Sequence, residues 1–170
     1  MKNIMKFTFA VIAVFCTSVL YGQQLGVINT QELMEIMPET IAAQVQLEEA
    51  AQGFTEVIEA IQVEFNTKYN DYVRLQGTQS DAVRQLQERE LSDLQNRRNE
   101  FQEMAQRDME AMQRQLLTPI FDKIDETVGK VAKDNGIATV FDTSTGAIIY
   151  VDETKVTNLL PLVKRELGIE

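Results

Sequence analysis

Histidine and tryptophan are absent from this chain of 170 residues, and cysteine occurs once. Without histidine, the chain lacks the commonest general base near neutral pH and the commonest transition-metal ligand. The one thiol, Cys16, lies in a segment that reads as a removable export signal. The mature chain then has no cysteine, which excludes disulfides, thiol catalysis and redox switching. Basic residues are also scarce, 16 against 26 acidic ones, for a net charge of −10. Losing Lys2 and Lys6 with the signal takes the mature chain to −12. That balance disfavours nucleic acid, whose phosphates need clustered Lys and Arg, and an anionic lipid surface. Gly-rich phosphate loops and recognisable nucleophile motifs are missing too, so an enzyme is the weakest reading.

Residues 1–22 carry the signal pattern. Lys2 and Lys6 form the positive start, and "FTFAVIAVF" is an apolar run too short to span a bilayer comfortably. Gly22 before Gln23 gives a cleavage point. Phe15 is bulky where a lipobox before Cys16 needs a small residue, so cleavage without lipidation is expected. No stable membrane insertion of the mature chain is expected.

From Ile41 onward the apolar residues take helical spacing. Leu47, Ala51, Phe54, Ile58, Ile61 and Phe65 form a heptad seam, continued by Tyr69, Tyr72 and Leu75 after one irregular step. "GTQS", Gly77 to Ser80, ends one helix and caps the next. The pattern resumes with Val83, Leu86, Leu91, Leu94, Phe101, Ala105, Met109, Met112 and Leu116. Asp93 with Arg97, Glu103 with Arg107, and Glu110 with Arg114 are acid-before-base pairs four residues apart, as on a solvated helix face. Pro38 stands 39 residues before Gly77, and Pro119 stands 39 residues after Ser80. Two matched antiparallel arms follow, each roughly 55–60 Å long at 1.5 Å per residue, projecting from a smaller body.

The equal arms explain the placing of the strands. "LGVIN" (Leu25 to Asn29) lies more than a hundred residues before "IATVFD" (Ile137 to Asp142) and "AIIYV" (Ala147 to Val151). A hairpin brings them together. "TSTG" (Thr143 to Gly146) reads as the turn of a C-terminal β-hairpin. Short helices complete the body: "NTQELMEIM" with an Asn29…Glu32 capping pattern, "PIFDKIDETVGKVAKDNG" with Ile120, Ile124, Val128 and Val131 on one face, and "NLLPLVKREL" with Leu160, Val163 and Leu167. The predicted class is α+β. Its parts are a body from residues 23–38 and 119–170 and a helical hairpin arm over 39–118. The body offers Val27, Ile28, Val140, Phe141, Ile148 and Ile149 to both faces of a small sheet. A body of fewer than about 80 residues is marginal alone, so self-association is expected through these residues.

Both "LGVINTQELMEIMPE" and the tail "PIFDKIDETVGKVAKDNGIATVFDTSTGAIIYVDETKVTNLLPLVKREL" resemble the periplasmic chaperones of the OmpH/Skp type, in element order as well as sequence. The resemblance spans the whole mature chain. It implies a jellyfish-like homotrimer with three helical tentacles around a cavity. It also implies an ATP-independent holdase of the periplasm that binds unfolded outer-membrane proteins, with no cofactor and no metal. The best-known members are basic and this chain is acidic, so no lipopolysaccharide-binding site is carried over.

On the arms, Tyr72 and Val73 are adjacent, so both cannot face the partner helix. Met104 lies off the seam. These three are the candidate client contacts. Phe101, Met109 and Met112 read as packing residues, and the Arg residues of the return arm as a solvated face. Asp142 and Asp152, which flank the expected β-hairpin, read as turn and cap residues rather than cation ligands. The competing function is a coiled-coil spacer or tether of the envelope, which needs a regular closed seam. The stutters around Phe65 to Tyr72 and Leu86 to Leu94 favour the holdase.

Overall fold

The computed structural model describes residues 24–75 and 77–169. The expected signal segment, with Cys16 and the cleavage point, lies outside the described residues. In order come β1 (Gln24–Ile28), α1 (Thr30–Ile36), α2 (Pro38–Leu75), α3 (Asp81–Asp134), β2 (Ile137–Asp142), β3 (Val156–Asn158) and α4 (Leu160–Leu167). The fold is α+β, mostly helical with one small sheet. The chain divides into two compact units. One is residues Glu35–Lys123, and the other joins the described residues up to Met34 with those from Ile124 onward.

In the sheet unit, β1 lies between β2 and β3 and runs parallel to both. This corrects the expected β-hairpin. Ala147–Val151 is not a strand; the third strand is the short Val156–Asn158. The physical reason lies in where the apolar residues of the segment go. Ile148, Tyr150 and Val151 line one face of the sheet together with Leu25, Val27, Phe141 and Val156. Ile148 and Val151 become half-buried along that face, a contact that pairing at the outer edge of β2 would not give them, and the rest of the face stays open.

Alternation along β1 sorts the two faces. Gly26 and Ile28 are buried, while Leu25 stays exposed and Val27 half-exposed. Gly26 is there for closeness: a Cβ on it would come within 2.4 Å of Leu159 Cδ1. On the buried side Leu33, Ile124, Leu159 and Val163 form the tightest part of the core.

The helix ends follow their sequence signals. The Asn29 side chain accepts from the Glu32 N–H at 3.1 Å and starts α1. At the end of α3, Gly136 adopts φ +68°, and the Asn135 side chain donates to the Val131 carbonyl at 2.7 Å. Asn158 accepts from the Leu160 N–H at 3.0 Å ahead of α4. The separate helix expected from Pro119 is instead the last part of α3, with Pro119 inside it. A proline removes one helical N–H bond. Here Ile120, Ile124 and Val131 keep the buried stripe going past it.

Candidate functional site

Two kinds of surface stand out, one in each unit. The first is the open face of the sheet. The parallel register sets Val27 beside Phe141 and Leu25 beside Val156. With Ile148, Tyr150 and Val151 they form an apolar groove of about 240 Å³. Phe141 is 43% exposed, Tyr150 80% and Ile149 99%. Of the residues expected to hold the body together, Val27, Val140 and Ile148 are half-buried, and Phe141 and Ile149 are exposed. Ile28 differs: at 3% exposure it is sealed inside its own unit. All-parallel sheets normally have both faces covered. This one is covered on one side only.

Asp142 ties β2 to the start of α1. Its carboxylate accepts from the Thr30 hydroxyl at 2.6 Å, the Thr30 N–H at 3.3 Å, and the Ser144 N–H and hydroxyl, both at 2.9 Å. Burial pulls its pKa upward, but the donors from Thr30 and Ser144 outweigh it and hold the carboxyl below the usual range. Asp152 accepts from the Thr154 hydroxyl at 2.6 Å and pairs with Lys155 at 3.1 Å. Both carboxylates therefore serve turns.

The second surface is the helical hairpin. Between α2 and α3, Phe54 and Phe101 meet edge to face, with ring centroids 6.1 Å apart. Ile61, Leu94 and Ala105 are buried along the same seam. Phe101, Met109 and Met112 are half-buried, as packing residues are. Toward the turn at 77–80 the seam becomes polar. Lys68 pairs with Glu90 at 2.9 Å, the Tyr72 hydroxyl donates to Glu88 at 2.8 Å, and Arg98 donates to Gln62 at 2.9 Å. Glu90's carboxylate raises the pKa of Lys68 through its hydrogen bond and charge.

This arrangement corrects the expected seam of the return arm. Val83 and Leu86 were placed in it, but they are 44% and 57% exposed, and Arg84, Gln87 and Glu90 are the more covered residues there. The contacts that α3 makes with α2 at this level are the polar ones of Glu90 with Lys68 and Glu88 with Tyr72. The three i, i+4 pairs of α3 do not form ion pairs among the described residues; Arg84 instead pairs with Asp81 at 2.5 Å.

Of the candidate contact residues, Val73 and Met104 are exposed, whereas Tyr72 is half-buried with its hydroxyl engaged. Val63, Tyr69, Val83 and Leu86 are also exposed, and sequence reasoning missed Val63. Its signal was an apolar residue on a face of Glu and Asn. Among the described residues, no helix is long and apolar enough to cross a membrane.

A parallel three-stranded sheet with one uncovered apolar face, joined in one chain to a long antiparallel helical hairpin, defines the class of protein. The particular family follows from comparison. The family model for outer membrane protein (OmpH-like) matches residues 24–167, and the chain belongs to that family. Among solved structures it is similar to an OmpH-like protein from Caulobacter crescentus CB15, provisionally named an outer membrane chaperone. The TM-score is 0.71 at 11% identity, covering 84% of this chain and 82% of that one. At that identity the likeness concerns the fold. No curated protein matches the chain.

Proposed function

We propose that the chain is an ATP-independent holdase of the periplasm, exported by residues 1–22 and working as a homotrimer on unfolded outer-membrane proteins. The observation that carries this reading is the hairpin itself. Its seam is shallow and partly polar, and it leaves Val63, Tyr69, Val73, Leu86 and Met104 exposed on a surface otherwise rich in Gln and Glu. A spacer gains nothing from such side chains, whereas a holdase uses scattered flexible apolar groups to grip many sequences weakly. Membership of the OmpH-like family supports the same reading, as does the provisional chaperone name of the Caulobacter protein.

In this reading Val73 and Met104, with the ring of Tyr72, touch the client, and the arm over residues 39–118 is the client-binding region. The body over 23–38 and 119–170 holds three copies together through the open sheet face. No chemical step and no cofactor is involved.

The test is aggregation suppression. A denatured outer-membrane protein is diluted into buffer with and without the exported chain, and light scattering is followed. Suppression at one trimer per client is expected. Undiminished aggregation would favour the spacer.

A further inference from the structure

We infer that Asn135-Gly136 is a latent modification site: its side chain and backbone are set to close into a succinimide, and the folded sheet unit holds the site shut. This stands apart from the proposed function.

The sequence supplies the reactants. Of the eight asparagines, Asn135 alone is followed by glycine. The backbone nitrogen of the following residue is the nucleophile, and the side-chain amide carbon is its target. With no Cβ, Gly136 leaves that approach open and its backbone free to turn. The Gly136 nitrogen gives up its proton to water and bonds to Asn135 Cγ, and the Cγ–Nδ2 bond breaks with release of ammonia. Water then opens the ring at either carbonyl, leaving aspartate or isoaspartate. Nothing is oxidised or reduced.

The structure ties down both reactants. The Gly136 N–H donates to the Lys133 carbonyl at 3.2 Å, so the nucleophile is engaged. The leaving amide of Asn135 donates to the Val131 carbonyl at 2.7 Å, and the Asn135 N–H donates to the same oxygen at 3.1 Å. The side chain is thereby folded back on the last turn of α3. Freeing it takes opening that turn, and both flanks are anchored. Val131 and Ala132 keep 6% and 8% exposure, and Ile137, which pairs with Gln24 of β1, keeps 7%. Openings of anchored segments cost free energy, up to that of global unfolding. The reaction therefore runs in the open chain and is suppressed in the closed one.

The product cannot close again in the same way. A carboxylate has no hydrogen to donate to Val131, and it sets negative charge beside Asp134 at the negative end of the α3 dipole. Isoaspartate also routes the backbone through the side chain, lengthening the link between α3 and β2. A chain whose sheet unit has opened long enough carries a permanent mark and a weaker helix end.

The test holds the exported chain at mildly alkaline pH with and without urea and follows peptides spanning Asn135 by mass spectrometry. Conversion should be at least about tenfold slower in the native chain than in urea. Equal rates would overturn the inference. In urea, Gly136→Ala should slow conversion severalfold, because a methyl group crowds the attacking nitrogen. An unchanged rate would mean that the amide is lost without that nitrogen, and would overturn the chemistry. Ile124→Val loosens the sheet unit mildly and should raise the native rate by about 2- to 10-fold. Leu94→Ala, in the hairpin, should leave it unchanged. A rise with Leu94→Ala as large as with Ile124→Val would overturn the assignment of the lock to the sheet unit.

Discussion

In the sheet unit Leu33, Ile124, Leu159 and Val163 are each at most 1% exposed. Along the middle of the hairpin the buried seam residues, Ile61, Leu94 and Ala105, keep 4%, 6% and 7%, and Phe54, Ile58 and Phe65 are half-buried. The two regions solve different problems. A sheet with helices on one side encloses side chains from all directions, whereas two helices can cover only a stripe of each other. The sheet unit therefore holds the stability, and its unpaired apolar surface is gathered on one face. The hairpin holds its shape with few buried groups, and its unpaired apolar residues are scattered. A gathered face suits one fixed partner; scattered groups suit many loose ones.

The largest effect that separates the regions is a cavity in each. Leu159→Ala should lower unfolding free energy by about 3–5 kcal/mol, because the site is enclosed and cannot collapse. Leu94→Ala removes the same atoms from a seam open to water and should lose about 2 kcal/mol, at the bottom of the range for such substitutions. Urea unfolding measures both. Equal losses would mean that the hairpin seam is as closed as the sheet unit.

Next in size is the Asp142 turn. Asp142→Asn should destabilise the sheet unit by about 1–2 kcal/mol, since hydrogen bonds to a charged acceptor are lost. The native carboxyl titrates below its unfolded value. Its contribution is therefore present above the unfolded pKa and fades as pH falls through the folded one. Wild-type stability should drop below about pH 4, and the variant should lose part of that drop. Thermal melts from pH 7 to pH 2 report it.

Smallest is the aromatic contact of the hairpin. A double-mutant cycle on Phe54→Ala and Phe101→Ala should give a coupling of about 0.5–1.5 kcal/mol. Zero coupling would mean that the arms slide freely at that level.

Much of this was readable in the residues. Heptad spacing from Leu47 to Phe65, the break at 77–80 and the stop at Asn135-Gly136 were legible because helix periodicity and capping are local, but Pro119 read as a boundary divides what is one helix, Asp81–Asp134. The first strand and Ile137–Asp142 were readable as apolar runs. What failed depended on partners distant in sequence. "AIIYV" looks like a strand and lies on a sheet face; Val156–Asn158 is a strand on the strength of pairing with Leu25–Val27, with only its β-branched Val-Thr as a signal. Val83 and Leu86 fit a seam by spacing, yet they are exposed, and the contacts across the arms at that level are those of Lys68 with Glu90 and Tyr72 with Glu88. The candidate contacts were readable to the extent that exposure follows from phase: Val73 and Met104 are exposed, and Tyr72 is held by a hydrogen bond that spacing cannot reveal.

On the proposed function, the hairpin grips its clients through apolar contact and not through charge. Glu39 to Gln76 carries seven acids and two bases, and Asp81 to Leu117 eight acids and six bases. An acidic client is therefore repelled at long range. Raising salt from 0.01 M to 0.1 M shortens the Debye length from about 30 Å to about 10 Å. That should relieve the repulsion and leave apolar burial nearly unchanged. Fluorescence anisotropy of a labelled, unfolded, acidic outer-membrane protein, titrated with the exported chain at both salt concentrations, should show affinity that stays level or rises. A steep fall in affinity with added salt would contradict the account and make the arginines of α3 the grip.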